Sequence, residues 1–161
     1  MYRCGGGKPA CCSGPRWAGR AHIRASAPPE WLVTQFLPRG DHNIGALEAV
    51  AVIVGLATFA VDLSHTDVLV FIDNQGVLHG FLNAMSRNPE TNFMAGELWL
   101  RAAAVDMRLF CWRVESKANI ADGPTRNYFE LVDRIGCVCT QPVWPDVLRD
   151  LWESPGGVSE W

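Results

Sequence analysis

The chain has 161 residues, of which 48% are hydrophobic and 19% are charged. This composition excludes disorder of the whole chain and favours a single globular domain. The 15 glycines and ten prolines are scattered, which excludes a collagen-like or low-complexity chain. The six cysteines lack the dense spacing of a disulfide-rich secreted fold, and residues 1–10 are glycine-rich without an apolar run. We therefore expect an intracellular protein, in the cytoplasm or nucleus, that is not secreted and has reduced thiols.

Charge is unevenly distributed along the chain. Five of the 14 basic residues precede the first acidic residue, Glu30, whereas nine basic and 17 acidic residues lie from Glu30 onward. A basic arm before an acidic body is not the pattern of an autonomous nucleic-acid binder. It is compatible with an enzyme whose acidic groups bind a metal ion.

The first part of the chain is predicted to be an irregular basic arm followed by a strand. Residues 1–29 are rich in glycine, proline and cysteine and have no apolar period. Residues 30–37 (EWLVTQFL) are rich in β-branched and aromatic residues and precede Pro38, which predicts a strand and a turn. Asp41 or Asn43 can cap the helix that follows.

Alternating helices and strands are predicted for the rest of the domain, which spans residues 30–135. The short apolar run VLVFI predicts a strand that is buried on both faces. In chain order, the predicted elements are a helix over Ile44–Asp62, a strand over Val68–Ile72, helices over Gln75–Asn83 and Thr91–Val105, a strand over Met107–Val114 and a short helix opening at Ile120. A tail over 136–161 contains proline and tryptophan, with a possible helix over 145–152. This order predicts an α/β fold whose later strands run parallel and are joined by right-handed crossovers.

A membrane span is the alternative for the first long helix. Residues 44–61 are nearly all apolar and are as long as the shortest membrane spans. Glu48 lies inside this segment, and a carboxylate there costs about 2.5–3.5 kcal/mol on insertion scales. Basic flanking residues are also missing. A helix buried between a sheet and other helices explains the same composition, so we predict no association with a membrane.

Three carboxylates are predicted to meet at one rim of the sheet. Glu48 lies in the first turns of the helix after the first predicted strand, Asp73 ends the second strand, and Asp122 follows the third. Ligands of α/β proteins bind at this rim. Asp73 could instead cap the next helix, and Asp122 could be a residue that favours a helix start. Carboxylates that meet repel one another unless a cation lies among them, and their oxygens suit Mg²⁺ or Mn²⁺.

Polar side chains near these carboxylates are candidates for contact with a nucleic acid. Asn74, Ser116 and Asn119 could form hydrogen bonds with sugar or phosphate, and Arg126 and Lys117 could bind the phosphate backbone. Each is equally compatible with an exposed loop or a helix cap.

Three blocks of the sequence carry a resemblance to a known family. The blocks are NIGALEAVAV, VLVFIDNQGV and WRVESKANIADGPTR. The segment from about Asn43 to Arg126 resembles the ribonuclease H domain attached to reverse transcriptases of retroelements. The third block is the most specific, because a serine, an asparagine and an AD-x-P-[ST]-R ending recur in that order after a strand in such domains.

The resemblance implies a fold, a reaction and a set of ligands. It implies a mixed sheet with flanking helices and the hydrolysis of the RNA strand of an RNA–DNA hybrid. Glu48, Asp73 and Asp122 match three acidic residues that bind two Mg²⁺ or Mn²⁺ ions in the family. Two such ions activate a water and stabilise the departing oxygen of a phosphodiester. The implied partners are the hybrid and an upstream reverse transcriptase domain.

The sequence departs from the family at two positions. The family has a further aspartate on its first strand, and residues 1–31 contain no aspartate. A histidine found before the last acid in some relatives is also absent, since residues 111–121 contain none. We expect that the first strand is missing or replaced by an unrelated arm. A catalytically inactive remnant of the same fold, with weak nucleic-acid binding, is therefore the alternative function.

Overall fold

A computed structural model of the chain describes residues 22–23, 28–36, 44–126 and 128–153. The candidate caps Asp41 and Asn43, and most of the predicted basic arm, lie outside these residues. The described elements are β1 (His22–Ile23), α1 (Glu30–Phe36), α2 (Ile44–Thr58), α3 (Ala60–Leu63), β2 (Asp67–Ile72), α4 (Gln75–Asn83), α5 (Pro89–Ala104), β3 (Arg108–Arg113), α6 (Asp122–Thr125), α7 (Glu130–Arg134), β4 (Val138–Cys139) and α8 (Asp146–Glu153), with a 3₁₀ turn at Ser116–Ala118. The chain is α/β, as predicted.

Strands β2 and β3 form a parallel pair connected by α4 and α5. Their register runs from Asp67 opposite Arg108 to Ile72 opposite Arg113. Parallel strands need a long connection, and here the crossover contains both helices. Helix α5 begins at Pro89, whose missing N–H is tolerated in the first turn, and the side chain of Asn88 accepts a hydrogen bond from the Thr91 N–H at 3.1 Å. The predicted strand–helix–helix–strand order is confirmed for this unit.

The core lies where α2, α4 and α5 pack together against one face of the β2–β3 pair. Ile53, Phe81, Met94 and Leu98 are fully buried there. Helix α2 carries Glu48 as its single charge in an otherwise apolar sequence, which suits a helix packed between other elements. The indole N–H of Trp99 donates to the carbonyl of Phe81 at 2.9 Å and ties α5 to α4. The core of this domain is therefore mainly helical.

The prediction of a strand over residues 30–37 is wrong, because Glu30–Phe36 form helix α1. Leu32 is fully buried, the Trp31 ring meets Trp144 edge to face at 6.3 Å, and the Arg149 guanidinium lies 5.6 Å from the Trp31 ring. These contacts join α1 to the region around α8. β-propensity depends on what a side chain packs against, and packing here favours a helix over the local β-branched composition.

The prediction that β2 is buried on both faces is also wrong. Val68, Val70 and Ile72 pack towards the helical core, whereas Leu69 and Phe71 are exposed. A continuous apolar run predicts burial on both faces only when layers cover both sides of the sheet. The packing around β2 leaves one face open to solvent.

Helix α2 is shorter than predicted, because it ends at Thr58 instead of Asp62. Phe59 interrupts the helix, and α3 follows as a separate turn. The Thr58 hydroxyl donates to the Val54 carbonyl at 2.6 Å and accepts from the Val143 N–H at 2.9 Å. This side chain therefore connects the end of α2 to the C-terminal tail. Among the described residues, none of the helices combines the length and the apolar character needed to cross a membrane.

The C-terminal tail contributes ordered structure. Strand β4 pairs in parallel with β1, with His22 opposite Val138 and Ile23 opposite Cys139. Helix α8 follows Pro145 and confirms the predicted helix near residues 145–152. Leu148 of α8 is fully buried and joins the hydrophobic core. The tail therefore packs against the domain.

Candidate active site

Glu48 lies in the second turn of α2, half-buried between the buried Ala49 and Val50 and the loop after β2. Burial raises the pKa of the Glu48 carboxyl, the negative charge of Asp73 raises it further, and Asp122 adds a smaller rise. A hydrogen bond from Asn74 lowers the pKa in the opposite direction. The Oε2 atom of Glu48 is buried without a hydrogen-bond partner. A buried carboxylate oxygen without a donor is costly for the charged form and suits a bound cation.

Asp73 and Asn74 follow the last residue of β2 and have different roles. The Oδ1 atom of Asn74 accepts hydrogen bonds from the N–H groups of Gly76 and Val77, at 2.9 and 3.2 Å, and so caps α4. The alternative in which Asp73 caps this helix is therefore wrong. Asp73 lies half-buried at the carboxyl end of the strand, and its charge acts on Glu48.

Gly45 explains how Glu48 reaches this rim. A Cβ atom on Gly45 would lie 3.3 Å from Nδ2 of Asn74, tighter than ordinary van der Waals contact. The lack of a side chain allows the start of α2 to approach the loop after β2. Glu48 thus arrives beside Asp73 through helix packing, although the first predicted strand, from which its position was inferred, is a helix. The reason given for its predicted position was therefore wrong.

Asp122 is the first residue of α6 and belongs to a tight turn. The Oδ1 atom of Asn119 accepts from the Ala121 N–H at 3.1 Å, and the Asp122 N–H donates to the Asn119 carbonyl at 3.1 Å. The Arg126 guanidinium contacts Oδ2 of Asp122 at 3.4 Å. Asn119 and Arg126, predicted to contact substrate, are therefore both engaged within this turn. Asn119 shapes the turn, and Arg126 partly offsets the charge of Asp122.

Ser116 lies in the exposed 3₁₀ turn after β3, together with Lys117. Both side chains lie on the protein surface. Lys117 and Asn119 line an open groove of about 540 Å³ beside Asp122, whose apolar wall includes Ile120 and Leu131. This groove was not predicted from the sequence, because residues from α6 and α7 meet there only in the folded chain.

Arg113, the last residue of β3, was not among the site residues predicted from the sequence. Arg113 is paired in register with Ile72, the residue before Asp73. With the Gln75 amide oriented so that its oxygen faces Arg113, that oxygen accepts from the two terminal guanidinium nitrogens at 2.9 and 3.2 Å. The signal for Arg113 was a basic residue at the carboxyl end of a predicted strand. Arg113 places a positive charge at the same rim as the carboxylates.

The structure thus couples the three predicted carboxylates electrostatically, because both Asp73 and Asp122 raise the pKa of Glu48. Across the part of the chain that the structure describes, however, no three side chains of His, Cys, Asp or Glu form a group that could hold a metal ion. The individual donors are of the type that a hard cation prefers, since this rim offers carboxylates and an orphaned buried oxygen of Glu48.

Comparison with protein-family models, with curated proteins and with solved structures finds no match to this chain.

Proposed function

We propose that the chain is a ribonuclease H-like domain of the kind attached to retroelement reverse transcriptases, and that it acts on the RNA strand of RNA–DNA hybrids. The observation that carries this proposal is the state of Glu48. This carboxylate is half-buried, its pKa is raised by burial and by Asp73 and Asp122, and one of its oxygens has no hydrogen-bond donor. Such a group lowers the stability of the fold, so a purely structural role does not explain it.

The order of elements supports the same proposal. The three sequence blocks of the resemblance supply Glu48 on α2, Asp73 after β2 and Asp122 after β3. The β2–β3 strands are parallel, so their carboxyl ends lie at one rim. With no match in the comparisons, the proposal rests on these blocks and on the coupled carboxylates.

In the proposed mechanism, Glu48, Asp73 and Asp122 would hold a divalent cation. The chemistry that a bound cation would supply is polarisation of the phosphodiester and activation of a water nucleophile. Asn74 donates a hydrogen bond that orients Glu48 and favours its charged form. Arg113, at the same rim, and Lys117, on the adjoining turn, provide positive charge for the phosphates of the bound strand.

A second candidate function is hybrid binding without cleavage. It is favoured by the sequence, since residues 1–31 lack the first-strand aspartate of the family, and by the lack of a metal-holding group among the described side chains. One lost ligand removes charge from a two-cation site and disturbs the alignment of the attacking water. We therefore expect the chain alone to bind Mn²⁺ and hybrid only weakly and to show little cleavage.

The test combines metal binding with cleavage of a labelled hybrid in Mg²⁺ or Mn²⁺. Asp73→Asn should lower Mn²⁺ affinity at least about tenfold, because the loss of a residue that only orients a metal ligand already costs about 10–100-fold. The matched control is Asp62→Asn, because Asp62 is exposed on α3, which precedes β2, whereas Asp73 follows the opposite end of that strand. A third chain carries an aspartate-bearing strand fused to the N-terminus.

The outcomes separate the two candidates. Cleavage that appears in the fused chain and disappears with Asp73→Asn supports the proposed domain. Robust cleavage by the unfused chain, lost with Asp73→Asn, refutes the non-catalytic candidate. If neither chain binds Mn²⁺ or hybrid, and the fused chain does not cleave, both candidates are wrong.

A further inference from the structure

One face of the β2–β3 pair is apolar and exposed. Alternate residues of a strand point to the same face. The residues on this face are more than half exposed: Leu69 at 53%, Phe71 at 57%, Phe110 at 56% and Trp112 at 67%. Scattered exposed apolar residues need no explanation, but a contiguous patch marks a surface that binds something.

The register of the two strands arranges this face as three rungs. Leu69 lies opposite Phe110, Phe71 lies opposite Trp112, and the rung at the other end is Asp67 opposite Arg108. Asp67 and Arg108 form an exposed salt bridge, with side chains 60% and 72% accessible to solvent. The face is therefore apolar over two rungs and carries one charge of each sign at its end. We refer to these six residues as the ladder face.

We propose that the ladder face is the interface of a homodimer, in which two copies pack face to face. In a dimer with a twofold axis parallel to the strands, β2 of one copy lies over β3 of the other. Each residue of a rung then faces its own rung partner in the second copy. Leu69 meets Phe110, and Phe71 meets Trp112, so that apolar side chains contact only apolar side chains.

Charge complementarity follows from the same symmetry. Asp67 of one copy lies over Arg108 of the second copy, and the reverse contact forms on the other side of the axis. An isologous interface requires this reciprocity, in which residue i contacts j and j contacts i. Packed sheets cross at about −30°, which over half of a six-residue strand displaces the ends by about 4 Å. That shift is more than half of the spacing of neighbouring strands, about 4.8 Å, so the long side chain of Arg108 reaches sideways to contact Asp67 of the second copy.

The area of the ladder face fits a weak dimer. Each aromatic side chain offers about 150–250 Å² when fully exposed. At the exposed fractions above, the four apolar residues contribute roughly 400 Å² per copy, or roughly 800 Å² for the pair. With the charged rung included, the total approaches the lower limit of about 1,200 Å² for stable interfaces. We expect a dissociation constant on the order of 10–100 µM.

A nucleic acid fits this face less well than a second copy does. Phosphate binding needs cations that are free to contact the backbone. The single cation of the ladder face, Arg108, is neutralised by Asp67. The chain from Glu30 onward has nine basic and 17 acidic residues, which further disfavours a polyanion. A face of apolar and aromatic side chains with one charge of each sign is complementary to the same face of a second copy.

The first experiment measures molecular mass by sedimentation equilibrium from roughly 5 to 500 µM. Trp112→Asp should weaken the dimer more than tenfold, because it places a carboxylate within the apolar contact and removes the most exposed ring of the face. Leu100→Asp is the matched control, since Leu100 is also 67% exposed but lies on α5 away from the ladder face. Thermal unfolding followed by circular dichroism establishes that each variant is folded.

The second experiment distinguishes contact between copies from contact within one copy. D67R alone and R108D alone should both be monomeric, because each would place like charges opposite each other in its own dimer. An equimolar mixture of the D67R and R108D chains should form a heterodimer, because opposite charges then face each other between the copies. Neither chain has an intact salt bridge of its own, so recovery in the mixture reports the interface.

The proposal fails if the unsubstituted chain is monomeric up to 500 µM. It also fails if Leu100→Asp weakens the dimer as much as Trp112→Asp does, or if the mixture of D67R and R108D stays monomeric. A monomeric chain that binds single-stranded DNA and loses this binding with Trp112→Asp would identify nucleic acid as the occupant instead. All of these results are independent of hybrid cleavage.

Discussion

Replacing Glu48 with glutamine is expected to stabilise the folded chain at neutral pH in the absence of divalent cations. The carboxylate is half-buried, its Oε2 atom has no hydrogen-bond donor, and Asp73 and Asp122 repel its charge. Glutamine has nearly the same shape and no charge. Its amide oxygen can still accept from Asn74, while its NH₂ group can donate towards the neighbouring carboxylates.

The size of the effect follows from the orphaned oxygen. A buried polar atom without a partner costs about 1–3 kcal/mol. Because Glu48 is only half-buried, we expect the lower part of this range, about 1–2 kcal/mol. In a domain of this length such a gain raises the melting temperature by about 2–8 °C.

The gain should depend on pH. The folded-state pKa of Glu48 is raised above its usual value of 4.5, so the folded chain binds more protons than the unfolded chain between these two values. The stability that the protonated side chain contributes is fully present below pH 4.5 and is lost as pH rises through the folded-state pKa. Glu48→Gln removes this loss. The variant should therefore match the unsubstituted chain at about pH 4 and exceed it at pH 7.5.

Mg²⁺ should reduce the stability advantage of Glu48→Gln, because it should stabilise the unsubstituted chain more than the variant. A cation that binds only the folded state adds RT ln(1 + [Mg²⁺]/Kd), which is about 1.4 kcal/mol at ten times Kd. This gain should be present in the unsubstituted chain and reduced in Glu48→Gln.

The assay is urea unfolding at pH 4 and 7.5, with EDTA or with excess Mg²⁺. Glu97→Gln is the control, because the Glu97 carboxylate pairs with Arg101 at 3.1 Å and its neutralisation offers no gain. The reasoning is refuted if Glu48→Gln is less stable than the unsubstituted chain at pH 7.5 in EDTA. An equal gain at pH 4 would show that charge is not the cause.

Two further predictions concern the packing that builds the site. Gly80→Ala should destabilise the chain by about 1–3 kcal/mol in urea unfolding, because its Cβ would lie 2.5 Å from Cγ2 of Thr91; Thr91→Ser in the same chain removes that methyl group and should restore most of the loss. Asn74→Ala should cost about 0.5–2 kcal/mol by removing the α4 cap, whereas Asn74→Asp keeps a capping oxygen but adds negative charge beside Glu48. The Asp variant should therefore approach the unsubstituted chain at pH 4 and fall below it at pH 7.5, and equal losses at both pH values would contradict this assignment.

Sequence alone determined the elements whose signals are local. Helix α4 occupies the predicted residues Gln75–Asn83, because an asparagine cap and a helical apolar period act within a few residues of each other. Strand β2 was located within one residue, because a short β-branched run between polar residues has one favourable conformation. The sequence also singled out Glu48, since a lone carboxylate in an apolar helix is visible without coordinates.

Tertiary structure decided what depends on neighbours that are distant in the chain. The segment EWLVTQF has β-branched and aromatic residues, yet it is helical because Trp31 packs against Trp144 and Arg149. The exposure of Leu69 and Phe71 depends on which layers cover β2, which its own sequence does not encode. Glu48 meets Asp73 because Gly45 permits a close helix approach. Local propensity acts over a few residues, whereas burial and electrostatic coupling arise only when distant segments occupy the same space.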